Sequence, residues 1–229
     1  MKKHEKTFAL NVDIFKGNFK GNFKWQLLLY YVIIKPIVFI CNYEKYGNLK
    51  GTGEDMKTVE DYVKNIPDFP EKGIIFRDIT SLVQDKDGLK LAVDEIIKKL
   101  DGVDFDLVAG PESRGFIFGI PVAYALNKGF VMVRKKGKLP RETIESEYDL
   151  EYGKAVIEIH KDSIKPGQKV VIIDDLMATG GTVEAIIRMI EELGGKVVRI
   201  VALIELKDLD GRKKIAGYDF ESVVAYEGK

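Results

Sequence analysis

Apolar and polar positions along the chain switch between two periods. Val170 to Ile173 is an unbroken run of four β-branched apolar residues, which suits a strand buried on both faces. Asp174 and Asp175 end it. Ala178-Thr179-Gly180-Gly181-Thr182 follows, small and rich in hydroxyls and glycine. Val183, Ile186, Ile187, Ile190 and Leu193 then recur at helical spacing until Gly194-Gly195. Upstream, Val59, Tyr62 and Val63 mark a short helix over 56–65, stopped by Ile66-Pro67-Asp68-Phe69-Pro70. Gly73 to Thr80 is extended. Leu89, Val93, Ile96, Ile97 and Leu100 define an amphipathic helix. Phe105 to Ala109 is a strand and 110–115 a loop. Phe116 to Asn127 is an apolar helix, with Pro121 in its first turn or kinking it. Phe130 to Arg134, Lys154 to His160, Val197 to Leu206 and Ser222 to Tyr226 are further strands. Lys135 to Tyr152 is long, polar and barely periodic, a kind of segment that is often functional. Lys207 to Lys214 is a charged loop. Strands alternating with helices predict an α/β fold: a parallel sheet covered by helices on both faces. Ligands should gather at the carboxyl ends of its strands.

Residues 1–55 follow a different pattern. They hold a tandem Gly-Asn-Phe-Lys and an apolar block, Trp25 to Cys41, interrupted by Lys35-Pro36. A spanning helix needs about 20 largely apolar residues, and no cleavage pattern follows the block. Two readings stand: an anchor for a membrane or partner, or an extension outside the fold. The second is preferred, with the folded domain over 56–229.

Charge changes the picture little. Lys and Arg number 36, as do Asp and Glu, so no global field argues for nucleic acid or an anionic membrane as partner. Any anion site must be local. One cysteine, Cys41, and two histidines, His4 and His160, leave no intrachain disulfide and no Cys/His zinc cluster. A reducing, cytoplasmic setting fits, and a bound metal would be a hard cation held by oxygen.

The strand–loop–helix of 170–193 carries the chemistry. A loop at a helix N-terminus presents unpaired N–H groups and the positive end of the dipole, so it binds phosphate. Thr179 and Thr182 add hydroxyl donors. Asp174 and Asp175 would repel the phosphate and are better suited to sugar hydroxyls or a nearby magnesium ion. Together these features describe a ribose phosphate. The loop is neither a Walker loop nor a dinucleotide fingerprint.

Four apolar residues, two acids and Ala-Thr-Gly-Gly-Thr resemble the phosphoribosyl-pyrophosphate (PRPP) signature of the type I phosphoribosyltransferases. Three further motifs narrow the resemblance to the adenine phosphoribosyltransferases, from about Asn65 to the C-terminus: Ile66-Pro-Asp-Phe-Pro with Gly73-Ile-Ile-Phe-Arg-Asp-Ile-Thr; Gly110-Pro-Glu-Ser-Arg-Gly-Phe; and Arg134-Lys-Lys-Gly-Lys-Leu-Pro with Leu150-Glu-Tyr-Gly-Lys-Ala. The resemblance implies purine salvage: transfer of the 5-phosphoribosyl group from PRPP to adenine, giving AMP and pyrophosphate, with Mg2+ bound through PRPP rather than to an assigned protein ligand. It implies that Ala178, Thr179, Gly180, Gly181 and Thr182 hold the 5-phosphate, and Asp174 and Asp175 the ribose. Arg114, Arg134, Lys135 and Lys138 would face pyrophosphate. Ile75, Phe76 and Arg77 would receive adenine, and Glu151, beside Tyr152 in the long loop, would be the catalytic acid–base. A doubly wound, mostly parallel five-stranded sheet flanked by helices with a small hood, a cis peptide in the 112–115 loop and a homodimer are also implied. Taken alone, Phe76 reads as a core aromatic, the lysine run as a solvated face and Glu151 as a surface acid. Two alternatives stand beside this reading: transfer to hypoxanthine, guanine or xanthine, and a non-catalytic PRPP-sensing regulator.

Overall fold

The computed structural model describes residues 57–149 and 154–227. The 1–55 extension, Glu151 and Tyr152 lie outside the described residues. Val59–Tyr62 is a single 3-10 turn rather than a full helix, because the chain turns into a strand, β1 (Lys64–Pro67), at once. β2 (Ile75–Asp78) pairs antiparallel with β1, and a cis Phe69–Pro70 peptide lies between them. This two-stranded ribbon is the hood. Thr80 is not extended as expected. It opens a short helix, α1 (Thr80–Gln84), with the Asp78 carboxylate accepting from its N–H and hydroxyl. α2 (Lys86–Lys98) is capped by Asp85, which accepts from the Asp87 and Gly88 amides.

The main sheet runs β5-β6-β4-β3-β7-β8-β9. Its members are β3 (Leu107–Pro111), β4 (Gly129–Lys135), β5 (Thr143–Asp149), β6 (Lys154–His160), β7 (Lys169–Met177), β8 (Lys196–Leu206) and β9 (Phe220–Tyr226). Neighbours among β4, β3, β7, β8 and β9 are parallel. These make up the expected five-stranded parallel sheet; Lys154–His160, also expected as a strand, lies beside it. The sheet is larger than expected, because β6 joins β4 antiparallel and β5 joins β6 antiparallel. The polar 135–152 segment is thus not all loop.

β7 is the middle of the five parallel strands, and its side chains alternate cleanly. Val170 and Ile172 belong to the core on one face, with α4 (Gly181–Glu192); Val171 and Ile173 belong to the core on the other, with α2 and α3 (Arg114–Ala125). Period-two geometry imposes this on any strand with both faces covered. α3 begins at Arg114, two residues earlier than Phe116, which leaves Pro121 in its interior rather than its first turn. Its start is pressed onto the sheet: a Cβ on Gly115 would stand 3.1 Å from the Ile173 carbonyl oxygen. No helix among the described residues is long and apolar enough to cross a membrane.

Candidate active site

β7 does not stop at the acids. It runs through Asp174 and Asp175 to Met177, in register with Ala202 to Glu205 of β8. The two carboxyls are therefore fixed in a sheet, and both are buried. Asp174 Oδ1 accepts from the Asp175 amide at 2.8 Å. Arg114, in the first turn of α3, places Nε 3.0 Å from Asp175 Oδ2. Burial pushes the Asp174 carboxyl well above the usual carboxylate range, and the Asp175 charge adds to it. Burial also raises Asp175, against the opposing pull of Arg114.

The chain leaves β7 at Ala178 and turns into α4. Gly180 is the N-cap, at φ 80°, a left-handed conformation that suits glycine. The first amides of α4 have no partner within the helix. Gly181, Thr182 and Val183, which carry them, all line one pocket of about 230 Å3. The same pocket is lined by Pro111, Glu112, Arg114, Lys135, Tyr148, Asp174, Asp175 and Ala178 to Gly180. Residues as far apart in sequence as Glu112 and Thr182 thus meet at the carboxyl ends of β3 and β7. The Glu112–Ser113 peptide in this loop is cis.

The other basic residues are placed differently. Arg134 donates Nε to Glu112 Oε2 at 2.8 Å and is not in the pocket lining. Burial raises the Glu112 carboxyl, but Arg134 and the Lys135 amide together hold it below its ordinary value. Lys138 is also outside the lining. Its amide and that of Leu139 donate to Glu158, each at 2.8 Å. Glu158 is a buried acid on β6, kept ionised below its usual range because backbone N–H groups outweigh its burial. It shapes the basic turn after β4.

Ile75, Phe76 and Arg77 lie on the hood strand β2, away from the pocket lining. Phe76 meets Phe69 edge to face, with centroids 5.2 Å apart. Arg77 stacks over Tyr226 at 4.1 Å and donates to Asn65 Oδ1 at 2.6 Å. Ile66, Phe69, Ile74 and Ile75 leave the hood with an exposed apolar surface.

Sequence reasoning missed Tyr148 and Glu112 as lining residues. Tyr148 was legible in principle: Ile144, Ser146 and Tyr148 share one face of β5, and two of the three are apolar. Its half-buried ring packs on the core beside the pocket.

A phosphoribosyl transferase domain model matches residues 80–226. An adenine phosphoribosyltransferase of Agathobacter rectalis is 67% identical over 174 residues, which span 76% of this chain and 100% of the relative. The chain belongs to the adenine phosphoribosyltransferase family. A solved adenine phosphoribosyltransferase from Thermoanaerobacter pseudethanolicus superposes with a TM-score of 0.71 at 52% identity, covering 73% of this chain and 98% of that one. A Saccharomyces cerevisiae member, complexed with an imino-altritol bisphosphate and adenine, gives 0.67 at 35% identity over 71% of this chain and 94% of that one. Membership of the adenine phosphoribosyltransferase family makes the pocket at the β7–α4 junction the place to look for PRPP.

Proposed function

We infer that the protein transfers the 5-phosphoribosyl group of PRPP to adenine, forming AMP and pyrophosphate. The observation that carries this is the meeting, in one pocket, of a helix N-terminus with two threonines, two buried acids and Arg114. Ala178 to Thr182 take the 5-phosphate on backbone amides and hydroxyls. Asp174 and Asp175 accept from the ribose diol. Arg114 engages Asp175 through Nε, and its terminal nitrogens are the ones to bind pyrophosphate oxygens. Lys135 lines the same pocket, and Arg134 and Lys138 flank it on the turn that Glu158 holds. Their positive charge stabilises pyrophosphate as it departs.

No cluster of three or more metal-ligating side chains occurs among the described residues. Asp174 and Asp175 are the acids of the pocket nearest a hard cation's chemistry, and Mg2+ would be bound mainly by PRPP oxygens. When bound, it neutralises charge on the leaving group.

Adenine enters from the hood. In a two-stranded ribbon each strand keeps one edge unpaired. Ile75 and Arg77 are two apart and share an edge, so a carbonyl and an amide can read the 6-amino group and N1. A 6-oxopurine presents the opposite pattern and leaves both groups unmet. Phe76 supplies the stacking face. Glu151 exchanges a proton with the purine ring, and Tyr152 stands beside it in the same loop. The protein works as a homodimer in a reducing cytoplasm. Ile120 and Tyr124, one turn apart on α3 and 47% and 89% exposed, are the apolar residues assigned to contact with the second copy.

Radiolabelled PRPP offered with single bases tests this reading. Adenine should be converted at least ~100-fold more efficiently than hypoxanthine or guanine, the discrimination expected when buried polar groups are left unpaired. Faster use of hypoxanthine would reject adenine as substrate. PRPP binding without turnover of any base would favour a regulator. Residues 1–55 are proposed to lie outside the catalytic unit. The same assay on a chain starting at Met56 should give unchanged kcat and KM; a large loss would show that the extension takes part.

A further inference from the structure

The charged segment 207–214 is not used by the reaction as described above, yet the structure sets it against the site from behind. Lys207–Leu209 is a 3-10 turn. Asp210, at φ 56°, leads into a single-turn helix, α5 (Gly211–Lys214). Gly211 touches the phosphate loop main chain to main chain. A Cβ added there would stand 2.3 Å from the Ala178 carbonyl oxygen, 3.1 Å from the Gly180 nitrogen and 3.0 Å from Met177 Sδ. The contact is reciprocal: a Cβ on Gly180 would stand 2.6 Å from the Gly211 carbonyl oxygen. Backbone atoms cannot rotate aside as a flexible side chain can, so a methyl group at Gly211 must move the loop or be moved by it.

Arg212 fixes α5 in this place. Its Nε and Nη2 donate to the two carboxylate oxygens of Glu205, at 2.5 and 2.8 Å. Its guanidinium lies over Phe220 at 4.5 Å. Glu205 is buried at the carboxyl end of β8, accepts from Ser222 Oγ at 2.9 Å and is in register with Met177 of β7. A planar two-pronged donor stacked on a ring holds direction as well as distance. The chain of contacts runs from β9 and β8 through Arg212 to Gly211 and ends on Ala178 and Gly180.

We propose that Gly211, held by the Arg212–Glu205 pair, is a positioning residue that sets the path of Ala178 to Gly180 and thereby the affinity for the 5-phosphate of PRPP. This rests on reading 178–182 as the phosphate loop. A packing role alone would lower thermal stability and leave the two substrates equally affected. A positioning role separates them.

The test is steady-state kinetics, with thermal melting, on Gly211→Ala, Arg212→Lys and Thr182→Val in the full chain. Gly211→Ala should raise KM for PRPP by ~10- to 100-fold, as expected for a misplacement near 1 Å, and leave KM for adenine within about twofold. Arg212→Lys keeps the charge but loses the fork, so it should raise KM for PRPP by a smaller factor in the same direction. Thr182→Val removes a hydroxyl donor from the loop itself and should also weaken PRPP. A folded Gly211→Ala protein with wild-type KM for PRPP, alongside a weakened Thr182→Val, would overturn the proposal and spare the phosphate-loop reading. An unaffected Thr182→Val would sink that reading instead. Equal rises in both KM values with a lower melting temperature would mark general loosening and count against the proposal. Should Gly211→Ala fail to fold, Arg212→Lys decides, and a wild-type KM for PRPP there would refute it.

Discussion

Asp174→Asn is expected to make the unliganded protein more stable and a poorer binder of PRPP. Asp174 is buried in β7 beside a second acid. Burial, then the Asp175 charge, raises its carboxyl well above the usual range. A carboxyl that holds its proton more tightly folded than unfolded favours the folded state most below the unfolded value. That advantage is lost as pH rises through the folded value. The wild type therefore carries this penalty at high pH, and its stability should fall along that limb. Asn removes it. The side-chain oxygen still accepts from the Asp175 amide, and the new amide can donate to Asp175 as the protonated acid does. Thermal melting should rise, by ~2–4 °C for each kcal/mol recovered in a domain of this size, and more at pH 8 than at pH 5. To accept from the diol of PRPP as a carboxylate, Asp174 must give up its proton on binding, which Asn cannot do; the charged acceptor lost is a hydrogen bond worth ~1.5–3 kcal/mol, so affinity should drop by about 10- to 100-fold. Calorimetry of PRPP binding with melting at two pH values measures both. Unchanged affinity would remove Asp174 from the ribose site.

Glu151→Gln should lower kcat by ~10²- to 10⁴-fold, the usual contribution of a general acid or base, with KM for PRPP within about threefold of wild type. Gln keeps the shape and hydrogen-bonding reach of Glu but cannot carry a proton to or from the purine ring. Tyr148 lines the pocket three residues earlier in the chain, which brings the strand leading to Glu151 to the edge of the site. Pre-steady-state measurement of AMP formation separates chemistry from product release. If the chemical step kept its rate in the variant, another group would have to move the proton.

The residues that announced themselves in the sequence did so through local chemistry. Val170 to Ile173 needed only its own β-branching, and Ala178 to Thr182 only its glycines and the helical period that follows. Pairings across long sequence gaps were silent. Arg114 and Asp175 lie 61 positions apart, and no periodicity links them. The acids looked like the end of β7, yet a parallel ladder ignores side chains, and Arg114 and the Asp175 amide make their burial tolerable. β5 was hidden because its outward positions, Glu145 and Glu147, are charged and form ion pairs with Lys136 and Lys154. Segment 207–214 looked unstructured because its order depends on Glu205 and on a close approach of two main chains, which sequence spacing does not encode.

The β5–β6 hairpin is joined unevenly to the rest of the sheet. Seven residue pairs bind β5 to β6, from Thr143–His160 to Asp149–Lys154, whereas Arg134–Glu158 and Lys135–Ile157, with the Lys136 amide donating to the Val156 carbonyl oxygen, bind β6 to β4. Arg188 of α4 adds a brace, donating to Ser146 Oγ and to the Glu147 carbonyl oxygen. Unzipping the hairpin would cost seven rungs; parting it from β4 would cost fewer rungs, that brace and the packing of Ile157 and Ile159 in the core. It is built as a cantilever: stiff along its length and joined to the parallel strands by few rungs at its mounting.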